Sequence, residues 1–343
     1  MTAMTIDVDP LTQREALLHA WHPVALSREV GCQLVKAWLL DEPWVLWRGD
    51  AGEVVAFHDR CPHRLAPVSA GTVLDTGEIQ CGYHGWRFGR SGACTLIPAL
   101  GEGATLPSKA RLHAAAAVAE SAGVVWIAPC RPPNGPPATG AFGPEFLTGI
   151  LDPAEADVDP GLMLDNFLDV AHFPFVHAAT FGSEQSAAVD GYHINRTKHG
   201  FVATTEHLFN HHEDPGVATG LRPLVQRRRM TYTYLPPYAA TLRLDYLDAG
   251  GTNVIVFAVQ PMRERRCRVY TVLIRNDLDP SQLAGAVAFE QRVLDEDLAV
   301  QQRMAGRLPL DLTAEVHTRA DRLTIELRRI LAETVTSARV ATE

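Results

Sequence analysis

No stretch of this chain is apolar over anything near the roughly 20 residues that a membrane-spanning helix needs, so a membrane is not expected among its partners. The opening residues, MTAMTIDVDP, are acidic rather than apolar, which predicts no signal peptide. Cysteine is scarce, six in 343 residues, which excludes a disulfide scaffold; without a secretion signal, a reducing cytoplasm is the expected compartment. Basic charge is in deficit, 31 Lys and Arg against 40 Asp and Glu for a net charge of −9, which argues against nucleic acid or an anionic lipid surface as the main partner. Internal repeats are absent, and so are low-complexity tracts beyond short alanine clusters. With 46% hydrophobic and 21% charged residues, the sequence is that of an ordinary globular protein, long enough for two or three domains.

Residues 15–40 read as a helical or mixed lead-in anchored by HAWHPV. WVLWRGDAGEVVAFHDRC gives two strand-like runs around Gly49-Asp50-Ala51-Gly52, a hairpin signal, and VVWIAP at 124–129 reads as a closing strand. Residues 1–130 are thus expected to hold a small all-β unit. Residues 131–144, RPPNGPPATGAFGP, read as a linker. Within 145–343 a β-meander is expected: YHINRT, FVATTEHLF, RRMTYTYL, AATLRLDYL, NVIVFAVQPM and CRVYTVLIRN, with turn residues between them. Two helices should close the chain, one over roughly 281–304 and one over roughly 314–335, the second with Val316, Ala320, Leu323, Leu327 and Ile330 at helical spacing.

The segment NFLDVAHFPFVH (166–177) puts one carboxylate, Asp169, and two imidazoles, His172 and His177, on an otherwise apolar stretch, company such groups avoid unless something binds them. Two histidines plus a distant carboxylate make the 2-His-1-carboxylate face of non-haem iron sites. Asp169 and His172 share a helix face, but a regular helix at about 100° per residue splays His172 and His177 by roughly 140°. Pro174 lies between them, and a widened, π-like turn at that proline is expected to bring both to one metal. Asp169, one turn before His172, is placed to accept a hydrogen bond from that ring. The competing reading is a buried amphipathic helix with two satisfied core histidines.

A second constellation, Cys61-Pro62-His63 and Cys81-Gly82-Tyr83-His84, gives one thiolate and one imidazole per half, with 17 residues between His63 and Cys81. Such a set can close a tetrahedral zinc site. The pairing of Cys with His on two loops of a small β unit fits a Rieske [2Fe–2S] centre better, with Cys61 and Cys81 on one iron and His63 and His84 on the other. Pro62, Pro67, Gly82 and Gly85 are expected to let backbone N–H groups approach the sulfurs.

With CPHRLAPVSAG, CGYHGWRF and NFLDVAHFPFVH together, most of the chain resembles the oxygenase component of Rieske non-haem iron oxygenases. HAWHPV, LIPALGEGATLPSKA and RADRLTIELRRIL are closest to the single-subunit branch of vanillate, dicamba and methylxanthine demethylases. The resemblance implies an α+β chain: an all-β Rieske domain (1–130 with its lead-in), the 131–144 linker, and a helix-grip, START-like antiparallel-sheet catalytic domain (145–343). It implies a mononuclear Fe(II) whose carboxylate ligand comes from a C-terminal helix; the family's Glu-Asp pattern selects Asp297, with Asp295 the alternative. It also implies that Asp169 bridges to a cluster histidine, His84, of a neighbouring subunit in a head-to-tail homotrimer, and that Asn166 lies near the iron.

The implied reaction is mono-oxygenation of a small aromatic or heterocyclic substrate by O₂, as N- or O-demethylation or C-hydroxylation. Gly101-Glu102-Gly103-Ala104-Thr105-Leu106 lacks the third glycine of a nucleotide loop. NAD(P)H is therefore expected to act indirectly, through a separate ferredoxin or flavin reductase. Arg227-Arg228-Arg229 is a candidate docking patch for that partner, though such a run is commonly a solvated strand end. Tyr246, Phe257 and Val259 alternate on strand-like runs and are candidates for the pocket wall, with ordinary sheet core the competing reading. The rival functions are a ring-hydroxylating dioxygenase forming cis-diols, a non-catalytic Rieske electron carrier, and a zinc-stabilised lipid carrier.

Overall fold

A computed structural model describes residues 10–342 apart from 50, 138–139, 141, 183–186, 190, 213–216 and 218. Asp50 of the first hairpin turn and part of the 131–144 linker therefore lie outside the described residues. The chain divides into two units, Leu18–Ala138 with Gln260–Glu264, and Met1–Leu17 with Thr139–Val259 and Arg265–Glu343.

The chain enters through helix α1 (Pro10–Leu18). The first unit then runs β1 (His22–Leu26), β2 (Val35–Leu39), β3 (Glu42–Arg48), β4 (Val54–His58), β5 (Thr72–Val73), β6 (Ile79–Gln80), β7 (Arg87–Phe88), β8 (Cys94–Leu96), β9 (Ala117–Ser121) and β10 (Val124–Ala128). These pair as three small sheets, β1-β10-β9, β2-β3-β4 and β5-β6-β7-β8. The mixed lead-in is thus the end of α1 followed by two strands, and VVWIAP is the central strand of its sheet. Val45, Trp47, Phe57, Val68, Ile79, Phe88 and Leu112 pack into one core that includes Cys61 and Cys81. The two thiols therefore belong to the hydrophobic interior that holds the unit together.

The second unit adds β11 (Leu147–Ile150), β12 (Ala154–Ala156), α2 (Pro160–Leu168), α3 (Phe173–Val176), β13 (His193–Thr197), β14 (Gly200–Asn210), β15 (Val225–Leu235), β16 (Ala239–Tyr246), β17 (Thr252–Arg263), β18 (Arg266–Arg275), α4 (Leu283–Gln301) and α5 (Arg322–Thr342). The strands form one antiparallel sheet in the order β11-β18-β17-β16-β15-β14-β13, with β12 also on β18. Strand β15 alternates as period 2 requires: Gln226, Met230, Tyr232 and Tyr234 are buried while Arg227 and Arg229 face solvent. α2 packs against α4 and α5, and α3 against α4. Among the described residues no helix is long and apolar enough to cross a membrane.

α2 starts where its sequence says it should. Asp159 accepts the Gly161 N–H at 2.9 Å, and Pro160 fills the first turn, where its missing N–H costs nothing. A buried ion pair ties α2 to α5: Arg328 reaches Asp165 at 2.5 and 3.1 Å and Glu315 at 2.9 Å. The final helix begins later than the apolar spacing predicts. Thr318 and Asp321 form a capping box that opens a single 3₁₀ turn, and α5 follows from Arg322. Val316 precedes that cap and is 94% exposed, so its helical spacing from Leu323 is accidental.

Candidate active site

The segment carrying the two histidines is not one helix with a widened turn. α2 ends at Leu168, and Asp169 caps it in extended conformation with its N–H on Asp165 and Asn166 carbonyls. The Asp169 carboxylate turns the chain by accepting the Ala171 N–H at 2.8 Å. α3 then restarts as a single turn, with His172 flanking its N-terminus and His177 its C-terminus. Pro174 sits in the first turn of that new helix, where no N–H is needed, so it initiates rather than distorts. A break of this kind frees the two rings from the helical angle between them.

Both rings turn toward α4. His172 Nε2 and His177 Nε2 are 3.1 Å apart, and Asp297 Oδ1 lies 3.4 and 3.2 Å from them. Asp297 shares a helix stripe with the buried Val293 and Gln301, four residues to either side, which aims it inward. Asp295 points away and accepts from Gln291 at 3.3 Å. Among the described residues, the buried Asp297 Oδ1 has no hydrogen-bond partner. Three donor atoms facing one another in this way need a cation. Three ligands at right angles around a first-row metal about 2.1 Å away would stand roughly 3.0 Å apart, so the set fits one. In the described residues these three form the one such group able to hold a metal ion.

The surroundings hold the three in place. Asp169 Oδ2 lies 3.5 Å from His172 Nδ1, and Glu296 Oε2 lies 2.8 Å from His177 Nδ1 while accepting the Thr180 hydroxyl at 2.9 Å. Asn166 bonds to Asp297 and accepts from Gln301 Nε2 at 2.9 Å. Burial pulls the His172 ring toward neutrality, but Asp169 and Asp297 outweigh it and raise its pKa to about 9. Burial pushes Asp297 up, but the two imidazoles and Asn166 bring it down to about 2. Without metal the site is therefore a zwitterion, and a metal must displace protons to bind. Glu296, Thr180 and Gln301 were not singled out from the sequence. Glu296 is the first member of the Glu-Asp pair, and its neighbour drew the attention.

The four candidate cluster ligands also come together. Cys61 and Cys81 are buried with their thiols within hydrogen-bond reach of each other. The His63 and His84 rings are 4.4 Å apart, and His63 stacks on Trp86 at 4.7 Å. The two loops share one backbone frame. Cys61 N–H bonds to Ala66 O and Leu65 N–H to Cys61 O; Cys81 N–H bonds to Trp86 O and Gly85 N–H to Cys81 O. Leu65 and Gly85 occupy the same place in that frame, both left-handed with φ of 59° and 69°. Burial pushes the Cys61 thiol up to about 11, against the His63 and Arg64 N–H groups that hydrogen-bond to its sulfur. These donors are backbone N–H groups of the Cys61 loop itself, immediately after Pro62. Gly82 instead permits close loop packing, since a Cβ there would stand 2.7 Å from Ala70 O. Asp59 fixes the facing turn by accepting Ser69 N–H and Oγ–H, both at 2.6 Å. Buried sulfurs beside more exposed imidazoles, on N–H-bearing loops, suit a Rieske cluster.

The His172–His177–Asp297 group forms part of the wall of a cavity of about 340 Å³. Phe167 and Phe257 stack at 4.5 Å and 6° in the wall, and His211 stacks on Tyr246 at 4.5 Å. Tyr246 and Phe257 line the cavity as the strand alternation indicates, whereas Val259 is sheet core. Arg227-Arg228-Arg229 is not a free basic patch. Arg227 pairs with Asp248 and Arg229 with Glu206, each at the surface, while alternation turns Arg228 into the cavity wall.

Known proteins match the chain along most of its length. Residues 20–110 match the Rieske [2Fe-2S] domain, and residues 156–337 match the vanillate O-demethylase oxygenase C-terminal domain. The chain is 30% identical to methylxanthine N1-demethylase of Pseudomonas putida, covering 94% of this chain and 90% of that one. It is 27% identical to methylxanthine N3-demethylase of the same organism, covering 93% and 90%. The structure of the QL mutant of Pseudomonas putida NdmA with theobromine superposes with a TM-score of 0.81 at 26% identity, covering 96% of this chain and 93% of that one. Dicamba monooxygenase bound to dicamba shares the fold, with a TM-score of 0.78 at 22% identity, covering 94% and 99%.

Proposed function

The chain belongs to the Rieske non-haem iron oxygenases, with an all-β Rieske domain and an antiparallel-sheet catalytic domain, and from that premise we propose that it demethylates or hydroxylates a small aromatic or heteroaromatic substrate. The observation that carries this reading is the convergence of His172, His177 and Asp297 on one point in the wall of an aromatic-lined cavity. Its volume suits a molecule of one or two rings.

Cys61, Cys81, His63 and His84 would hold the [2Fe–2S] cluster, and His172, His177 and Asp297 the iron. When bound, the cluster supplies electrons singly and the iron supplies activation of O₂. The chain's own residues do the rest. Asp169 and Glu296 fix the two imidazole rings through their Nδ1 atoms, and the Gln301–Asn166 pair holds the Asp297 carboxylate. Phe167 and Phe257 present flat faces that exclude water and orient a planar ring. Hydroxylation of an N- or O-methyl carbon consumes O₂, two electrons and two protons and releases one water. The resulting hemiaminal or hemiacetal breaks its C–N or C–O bond to release formaldehyde and the demethylated product.

The electrons come from a separate ferredoxin or flavin reductase. Transfer between subunits follows the head-to-tail trimer arrangement, from His84 of one copy to Asp169 of the next. The test supplies purified protein with a surrogate reductase, NADH and a panel of N-methyl and O-methyl aromatics. Formaldehyde equimolar with O₂ consumed supports demethylation. Uptake without formaldehyde, but with a product heavier by one labelled oxygen, supports hydroxylation; a product carrying two labelled oxygens overturns mono-oxygenation. In the same assay Asp297→Asn is expected to keep the red cluster and abolish product, and normal turnover in that variant would remove Asp297 from the ligand set.

A further inference from the structure

Among the described residues, the cavity wall contains a cation that no carboxylate neutralises. Arg275 also lines the cavity, but it is held by Asp277 at 2.9 and 2.6 Å. Arg228 has no carboxylate partner among the described residues. Its Nη2 meets His207 Nε2 at 2.9 Å, its guanidinium lies 4.4 Å over the Phe209 ring, and its buried Nε has no hydrogen-bond partner. Strand alternation puts it there, between two arginines that each found an acid outside.

A guanidinium keeps its charge in proteins, and its Nη2 contact makes His207 Nε2 a neutral acceptor. The contact to His207 and the ring of Phe209 orient the fork but supply no counter-charge. Desolvating a cation without one is costly, and burial does lower the Arg228 pKa. A second, neighbouring cavity of about 360 Å³ shares Phe173, Arg228 and Met230 with the first, so there is open space on two sides of this side chain. The Tyr232 hydroxyl, also buried and without a hydrogen-bond partner among the described residues, lies within electrostatic reach of both Arg228 and Asp297. One polar wall of the cavity thus runs from the Arg228 guanidinium, past the Tyr232 hydroxyl, toward the His172–His177–Asp297 group. The cavity's own acid away from that group is Glu290, on α4.

We propose that Arg228 is a specificity-determining residue that receives a planar carboxylate of the substrate, so that the substrate is an aromatic or heteroaromatic carboxylate presenting its oxidisable carbon to the His172–His177–Asp297 site. This rests on the oxygenase reading above, in that it takes the cavity as the substrate site. The fork geometry of a guanidinium matches two carboxylate oxygens, and a neutral amide of the same shape cannot supply the missing charge.

The experiment is a binding titration by calorimetry with two matched probes, 4-methoxybenzoate and 4-methoxybenzamide, on the cluster-loaded protein without reductase. The carboxylate is expected to bind wild type at least tenfold more tightly than the amide. Arg228→Gln should erase that preference, Arg228→Lys should retain part of it, and the surface variant Arg227→Gln should leave it intact. Equal binding of the two probes to wild type, no binding of the carboxylate, or a preference that survives in Arg228→Gln overturns the proposal. Visible absorption of the cluster in each variant reports folding. Since the titration needs no turnover, its outcome is separate from that of the formaldehyde and O₂ assay. A neutral substrate turned over equally by wild type and Arg228→Gln sinks the Arg228 assignment alone. Arg228-dependent carboxylate binding with no oxygenation of any compound in the panel sinks the oxygenase reading alone.

Discussion

Replacing Gly82 with alanine tests whether the cluster loops are held by close backbone contact. The added Cβ would lie 2.7 Å from Ala70 O, 3.5 Å from Ala70 C and 3.7 Å from Gly71 Cα, all backbone atoms. None can swing away as a side chain would, and the Val68–Ala70 turn is pinned by the two bonds from Ser69 to Asp59. Relief therefore requires the two ligand loops to separate by roughly half an ångström, an overpacking strain of about 1–3 kcal/mol. Gly82 has an ordinary φ, so conformational strain does not add to this. At roughly 4 °C per kcal/mol for a unit of this size, the midpoint of thermal bleaching should fall by about 4–12 °C. Iron and acid-labile sulfide per chain should fall with it. Gly31→Ala is the control: nothing lies within 4 Å of its Cβ, and its φ is also ordinary, so its midpoint should stay or rise slightly. If Gly82→Ala bleaches at the same temperature as Gly31→Ala with full iron and sulfide, the loops are not held in the way described.

Three further outcomes follow from the His172–His177–Asp297 group and its neighbours. Glu296→Gln should weaken mononuclear metal binding by about 10–100-fold by removing the charge behind His177; an unchanged affinity in competition with a chromophoric chelator would refute that role. Asp169→Asn should keep both metal centres yet slow oxidation of a pre-reduced cluster in the presence of substrate and O₂, followed by stopped-flow absorbance; wild-type rates would count against the electron bridge. The iron-free protein should have a defined pH profile. The His172 pKa of about 9 lies above its unfolded value of about 6.5, so the stability it contributes is complete below about 6.5 and lost as pH rises through about 9. Asp297, held at about 2, contributes stability above about 3.9 that is lost as pH falls through about 2. Urea midpoints of the iron-free protein should therefore decline between pH 7 and 10, by at most about 3 kcal/mol from His172; a flat profile there would show that the pairing is not made.

The sheet was legible because strand signals are local. Each run from YHINRT to CRVYTVLIRN appears as a strand, since β-branched and aromatic residues alternate between turn residues there. The residues of both constellations could be picked out because their chemistry is unusual for their surroundings. Four features were harder to see for separable reasons. Pro174 can either distort a helix or begin one, and the sequence does not say which; the Asp169 cap, a side chain–backbone contact two residues long, decides it. Val316 shares the spacing of α5 but lies before the Thr318 cap, and periodicity alone does not locate a cap. Arg228 lay hidden among three like charges, although strand alternation already requires the middle one to face away from its neighbours. Glu296 and Gln301 act across more than a hundred residues of sequence, and only the fold places them against His177 and Asn166.

The matching backbone frames of the Cys61 and Cys81 loops amount to one hairpin used twice. Because the frame is the same in both, the chemical difference between the two loops rests on side chains alone. The most visible difference is Leu65, strained into the left-handed region and 69% exposed, where its twin carries only the hydrogen of Gly85. Either half is therefore a template for the other. The histidines enter the frame at different places, His63 two residues after Cys61 and His84 three residues after Cys81, so what is repeated is the backbone and not the side-chain positions.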